Sequence, residues 1–164
     1  MRINPAKRMK LRILAVGHKM PDWIEAGFHE YARRMPSDAS IELIEIKPEK
    51  RAAGASTERI QKLEADRILA ALPAQPMLIA LDECGKQLTT VELSQYLARW
   101  MQDSANPSFV IGGADGLHVS VRDNANLLLG LSRLTLPHGL ARVMLAEQLY
   151  RAISLLKGHP YHRE

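Results

Sequence analysis

Four stretches hold residue types that can do chemistry, and all lie in the second half of the chain. Gly112-Gly113-Ala114-Asp115-Gly116 follows the apolar run Phe109 to Ile111. Glycine admits positive φ and lets backbone come close to a ligand, so this turn suits a small-molecule site. It suits equally well a tight turn that serves only the fold. The run matches neither the dinucleotide fingerprint GxGxxG nor the phosphate loop GxxxxGK[ST], which speaks against an NTP enzyme and a dinucleotide-dependent oxidoreductase. Ser132-Arg133-Leu134-Thr135-Leu136-Pro137-His138-Gly139 leads into the last helix, whose free N–H groups can receive a polar ligand group. Its plainer reading is an ordinary connection with His138 as the cap. Glu147, Arg151 and Ser154 share one helical stripe, either as a stabilising ion pair or as a polar strip facing a ligand or a second subunit. The tail, Gly158 to Glu164, offers histidines that carry protons near neutrality, with Tyr161 and Arg163 beside them. Terminal residues are also the ones most often frayed.

Other chemistries find no support. His18, His29 and His118 have no metal-ligand spacing with Cys or acidic residues, so no zinc site is expected. The nucleophile elbow GxSxG of a serine hydrolase is missing. Cys84 stands alone, which fits a passive residue in a cytoplasmic protein, since a disulfide framework needs pairs. No apolar run approaches the roughly 20 residues that cross a bilayer. Ile13 to Val16 is too short for the core of a signal peptide. A net charge of +4 favours anionic partners such as RNA, whereas an aromatic content of 5% speaks against a stacking platform for single strands.

The elements that must hold these residues follow from periodicity. Short apolar runs at Leu11–Val16, Met77–Leu81, Phe109–Ile111 and Leu127–Leu131, with the alternating Ile41–Ile46, read as strands. Helices are predicted from Pro21 to the stop at Pro36, from Ser56 or Thr57 to about Leu72, over about 90–103, and from Leu140 to Lys157. Alternation of this kind implies a mostly parallel sheet flanked by helices, with ligands bound at the carboxyl ends of the strands. Leu81-Asp82-Glu83, the glycine turn and Ser132 to Pro137 all fall there. The last helix is apolar nearly all round, which predicts burial on more than one side and a subunit interface. Residues 1–8 carry scattered charge and no period and read as a flexible extension; 9–164 read as one domain.

Several motifs gain meaning together: Val110-Ile111-Gly112-Gly113-Ala114-Asp115-Gly116-Leu117, Leu134-Thr135-Leu136-Pro137-His138, Arg142-Val143, Glu147-Gln148-Leu149-Tyr150-Arg151-Ala152 and Pro160-Tyr161-His162-Arg163. Ile13-Leu14-Ala15-Val16-Gly17 and Leu43-Ile44-Glu45-Ile46 join them near the front. From Met9 to Glu164 the chain resembles the bacterial large-subunit ribosomal RNA methyltransferases that modify N3 of a pseudouridine, of the SPOUT, or α/β-knot, class. The resemblance implies a C-terminal deep trefoil knot, a topology that general experience of folds would reject. It implies S-adenosylmethionine as methyl donor without a metal, a homodimer, and 23S rRNA within the ribosome as partner. Leu81, Gly113, Ser132, Arg133, Leu134, Thr135, Leu136 and Pro137 would then line the donor site. Arg133 departs from the small or polar residue expected there, which a contact through backbone would tolerate. His162 is the first candidate for a general base and Glu147 the second. Arg142, Arg151, Tyr161 and Arg163 would contact RNA. The competing readings are a related methyltransferase of transfer RNA and a non-catalytic ribosome-binding factor.

Overall fold

A computed structural model describes residues 8–162, with His162 known by its backbone alone. Most of the expected N-terminal extension, the side chain of His162, and Arg163 lie outside the described residues. In chain order the elements are β1 (Met9–Val16), α1 (Asp22–Ala32), β2 (Ala39–Ile46), α2 (Thr57–Ala71), β3 (Met77–Gln87), α3 (Thr90–Gln102), β4 (Pro107–Ile111), α4 (Val119–Asn124), β5 (Leu127–Gly130) and α5 (His138–Leu156). A 3-10 turn, Pro160–His162, follows.

Helix starts are written in the sequence. The Ser56 hydroxyl accepts the Arg59 N–H at 3.2 Å. Thr89 and Glu92 form a reciprocal capping box that opens α3. His118 caps α4 through Nδ1, which accepts the Ser120 N–H at 3.1 Å. That gives His118 a structural role in place of a metal-binding one.

All strand pairs are parallel, in the order β2-β1-β4-β3-β5. Inner strands of a parallel sheet are covered on both faces and read as continuous apolar runs; every residue of β4 is buried. Along β1, Leu11, Ile13 and Ala15 point into a core shared with Phe28 of α1, Leu97 of α3 and Leu145 of α5. Leu14 and Val16 point the other way, towards Ile68 of α2 and Val121 of α4. Helices α1, α5 and α3 therefore cover one face, and α2 and α4 the other.

Two expectations change here. Much of the apolar circumference of α5 is covered within one chain, because α5 lies between α1 and α3 on the sheet, while Leu140, Val143 and Met144 stay half-exposed. It does not by itself require a second subunit. Strand β3 also runs six residues past Leu81, to Gln87. The reason is long-range pairing: Leu129 of β5 is the register partner of both Leu81 and Lys86. Strand β3 thus pairs with β5 twice, a clasp with an irregularity between Leu81 and Lys86. At the crossing, a Cβ on Gly85 would lie 2.6–2.8 Å from backbone atoms of residues 128–130, and one on Gly130 would lie 2.8 Å from the Gly85 carbonyl oxygen. Only glycine on both strands allows that approach.

Candidate active site

A parallel sheet delivers every strand-to-helix connection to the same edge. There residues 81–84 of β3 and the segments after β4 and β5 close round a cavity of about 610 Å³. That is within the range of small-molecule and cofactor sites. Leu81, Gly113, Ser132, Leu134, Thr135, Leu136 and Pro137 all line it. Segments far apart in sequence are brought together by the strand order alone.

Arg133 is the exception. Its side chain is exposed and lines no part of the cavity. The Ser132 hydroxyl accepts the Leu134 N–H at 2.9 Å, a side-chain turn that sends residue 133 outward. His138 differs from its expected place as well. It is the first residue of α5, preceded by Pro137 with no side-chain cap, and it lines the cavity with Ala141.

The wall carries charge that sequence reading noticed only in part. Asp82, Glu83 and Asp115 face the cavity, together with Arg122 of α4 and Gln61 of α2. Arg122 lies 3.6 Å from Asp82. Gln61 donates to the Asp115 carbonyl at 2.5 Å, and Arg51 pairs with the Asp115 carboxylate at 2.6 Å. No local motif marks Gln61 or Arg122, since neither lies in a glycine-rich or strand-end segment.

Arg142, expected at the RNA surface, is 2% exposed. Its guanidinium donates to the Glu45 carboxylate at 2.9 Å and to the Gly17 carbonyl at 3.0 Å. It ties α5 to the ends of β1 and β2, so its expected RNA contact is corrected to an internal one.

The other expected polar residues meet along the second half of α5. Glu147 accepts from Arg151 at 2.8 Å, from Gln148 at 2.7 Å and from the Tyr161 hydroxyl at 3.1 Å. The Tyr161 ring lies 4.6 Å from that of Tyr150, with the Arg151 guanidinium 4.8 Å from its centre. Burial pushes the Tyr161 phenol up to about 12, helped by its hydrogen bond with Tyr31 and the Glu147 charge. Tyr161 therefore keeps its proton at neutral pH and acts as a donor. None of Glu147, Arg151 and Tyr161 lines the cavity of its own chain. Nine residues of helix separate Ala141 at the cavity from Tyr150, about 13 Å at 1.5 Å per residue.

A family model described as "Predicted SPOUT methyltransferase" matches residues 9–162. The chain belongs to the SPOUT methyltransferase family. Its relatives include the ribosomal RNA large subunit methyltransferase H of Thiobacillus denitrificans, 60% identical over 95% of this chain and 100% of that one. The protein of the same name from Nitrosospira multiformis is 57% identical over 94% of this chain and 99% of that one. Among solved structures, a probable methylase family protein from Haemophilus influenzae Rd KW20 superposes with a TM-score of 0.56 at 10% identity. That match covers 97% of this chain and 72% of the other, and it speaks for the fold. The SPOUT match opens at Met9, the first residue of β1. Among the described residues of this SPOUT methyltransferase, no group of three or more His, Cys, Asp or Glu side chains is placed to hold a metal. No described helix is long and apolar enough to cross a membrane.

Proposed function

We propose that the chain methylates N3 of a pseudouridine in 23S ribosomal RNA, with S-adenosylmethionine as donor, working as a homodimer on the assembled ribosome. One observation carries the reading. Seven residues assigned to the donor site by motif converge on a single cavity, in a chain whose relatives are named as large-subunit rRNA methyltransferases.

The cavity suits the donor's chemistry. Leu81, Leu129, Leu131 and Leu136 give an apolar wall for a flat base. Asp82, Glu83 and Asp115 supply negative charge for a sulfonium and an ammonium group, and Arg122 can meet a carboxylate. At Gly113 a Cβ would lie 3.1 Å from Val16, on the side away from the cavity, so glycine lets this wall segment pack closely against β1. The bound donor supplies an electrophilic methyl on a sulfonium, whose leaving group is a neutral thioether.

The protein's task is then to orient, exclude water and remove one proton from the acceptor nitrogen. His162 remains the first candidate for that base and Glu147 the second. Glu147 must first release one of its three donors. Tyr161, Arg151 and Arg163 are assigned to the RNA side, where guanidinium groups can meet phosphate or charge developing on the uracil carbonyls. The tail cluster sits well along α5 from its own cavity, so a site using both takes the tail from a second subunit. The half-exposed stripe Leu140, Val143 and Met144 on α5 offers an apolar surface for that pairing. The C-terminal motifs shared with the family support a C-terminal segment threaded through a loop. Together these features make the proposed knot and composite site parts of one design, in the cytoplasm where ribosomes work.

The test is transfer of a labelled methyl from S-adenosylmethionine to ribosomes purified from cells lacking this gene. Label is expected on one pseudouridine of 23S rRNA, with little on naked rRNA fragments. Label on transfer RNA instead would replace the substrate. Absence of donor binding by calorimetry would replace the enzyme with a ribosome-binding factor.

A further inference from the structure

Glu64 lies on the face of α2 that packs against the sheet, and it is 6% exposed. Among the described residues it is the only buried acid. A buried carboxyl group is unfavourable unless it is hydrogen-bonded, and a leucine of similar size would pack with less cost. Apolar packing between α2 and the sheet is already supplied by Ala65 and Ile68. Glu64 thus needs a reason beyond packing.

Its surroundings give one. Glu64 Oε2 accepts the backbone N–H of Glu49 at 3.1 Å. Its two carboxyl oxygens lie 3.5 and 3.6 Å from the point where a side chain on Gly113 would begin. The carboxyl group therefore stands directly behind the glycine that walls the cavity. Gln61 and Arg67 flank it at three-residue steps on the same stripe of α2. Gln61 holds the Asp115 carbonyl, and Arg67 donates to the Lys47 carbonyl at 2.9 Å and pairs with Glu49. Arg51 closes the circuit onto Asp115. One stripe of α2 thus fastens two loops to each other: residues 47–51 after β2 and residues 113–115 after β4.

We propose that Glu64 is a positioning residue for methyl-donor binding: anchored by the Glu49 amide, it supports Gly113 from behind and sets the shape of the cavity wall. The proposal rests on reading this cavity as the donor site. Burial raises the carboxyl group's proton affinity above the ordinary range, against the Glu49 N–H bond; the Asp115 charge adds to the rise, Arg67 opposes it and Glu49 adds to it. The Glu49 amide asks only for an acceptor oxygen at this place, so an uncharged side chain of the same shape should serve nearly as well. Glutamine keeps an oxygen for the Glu49 amide and fills the same space. Alanine does neither, and aspartate withdraws the carboxyl by one methylene.

The experiment uses the full chain with Glu64→Gln, Glu64→Asp and Glu64→Ala. Calorimetry with S-adenosylhomocysteine gives affinity, and steady-state methylation of ribosomes gives the donor KM and kcat separately. Glu64→Ala is expected to weaken binding by about tenfold and raise KM in proportion, with kcat at saturating donor nearly kept. Glu64→Gln is expected to restore binding to within about twofold of the natural chain. Should Glu64→Ala fail to fold, Glu64→Asp is expected to show an intermediate loss. The proposal is overturned if a folded alanine or aspartate variant binds like the natural chain, or if glutamine is as impaired as alanine. If the natural chain itself binds no S-adenosylhomocysteine, the donor-site reading has failed, and the proposal falls with it.

Discussion

Arg142 stands among leucines on the last helix, and its charge is neutralised inside the molecule. Its partners, Glu45 and Gly17, lie 97 and 125 residues earlier, so no local pattern could have exposed this role. Position on the helix was legible; the partner was not. Replacing Arg142 by alanine should cost about 2 kcal/mol, the scale of hydrogen bonds to a charged group, since the half-exposed Glu45 is partly screened. Urea denaturation measures this, and an unchanged midpoint would refute the structural role. Tyr161 supplies a second prediction at this scale. The folded chain favours its neutral phenol, so the stability it contributes is whole below the ordinary value of 10.0 and is lost as pH rises through about 12. Alkaline difference absorbance should resolve a tyrosine titrating near 12, and Tyr161→Phe should remove that step. A spectrum without that late step, or one in which Tyr161→Phe leaves it in place, would contradict the cluster.

At the scale of elements, most of the fold could be read from period and punctuation. Buried parallel strands announce themselves as apolar runs, and Ser56 and Thr89 mark helix starts through their own hydroxyls. The end of β3 could not be read that way. Apart from Cys84, residues 82–87 are polar or glycine, and they are extended only because β5 passes beside them. The glycine pair at that crossing carries the clearest prediction. Gly85→Ala forces a methyl group onto backbone that cannot yield as a side chain would. It should destabilise the protein by about 2 kcal/mol or more and weaken donor binding, because Leu81 and Leu129 flank both the clasp and the cavity. A Gly85→Ala variant with natural stability and affinity would mean that the clasp is loose. The circumference of α5 teaches the opposite lesson. Its apolar pattern was visible, but periodicity cannot say whether the covering surface belongs to the same chain or to another.

At the scale of the whole molecule, one parallel sheet gathers the candidate donor-site segments at one edge, while Glu147, Arg151 and Tyr161 meet along the second half of α5. The candidate donor site was legible because its residues sit in short contiguous motifs at strand ends. The acceptor side was less so, since the side chain of His162 and the whole of Arg163 lie beyond the described residues. Light scattering should give twice the 18.3 kDa of one chain at working concentration. A monomer would leave the tail without a cavity to reach. The account's central claim is that this small domain places one methyl group on one base of the large ribosomal subunit. Mass spectrometry of 23S rRNA from cells with and without the gene tests that most directly. The account predicts a single pseudouridine that loses one methyl when the gene is removed and regains it on complementation. Identical methylation of 23S rRNA in both strains would contradict it.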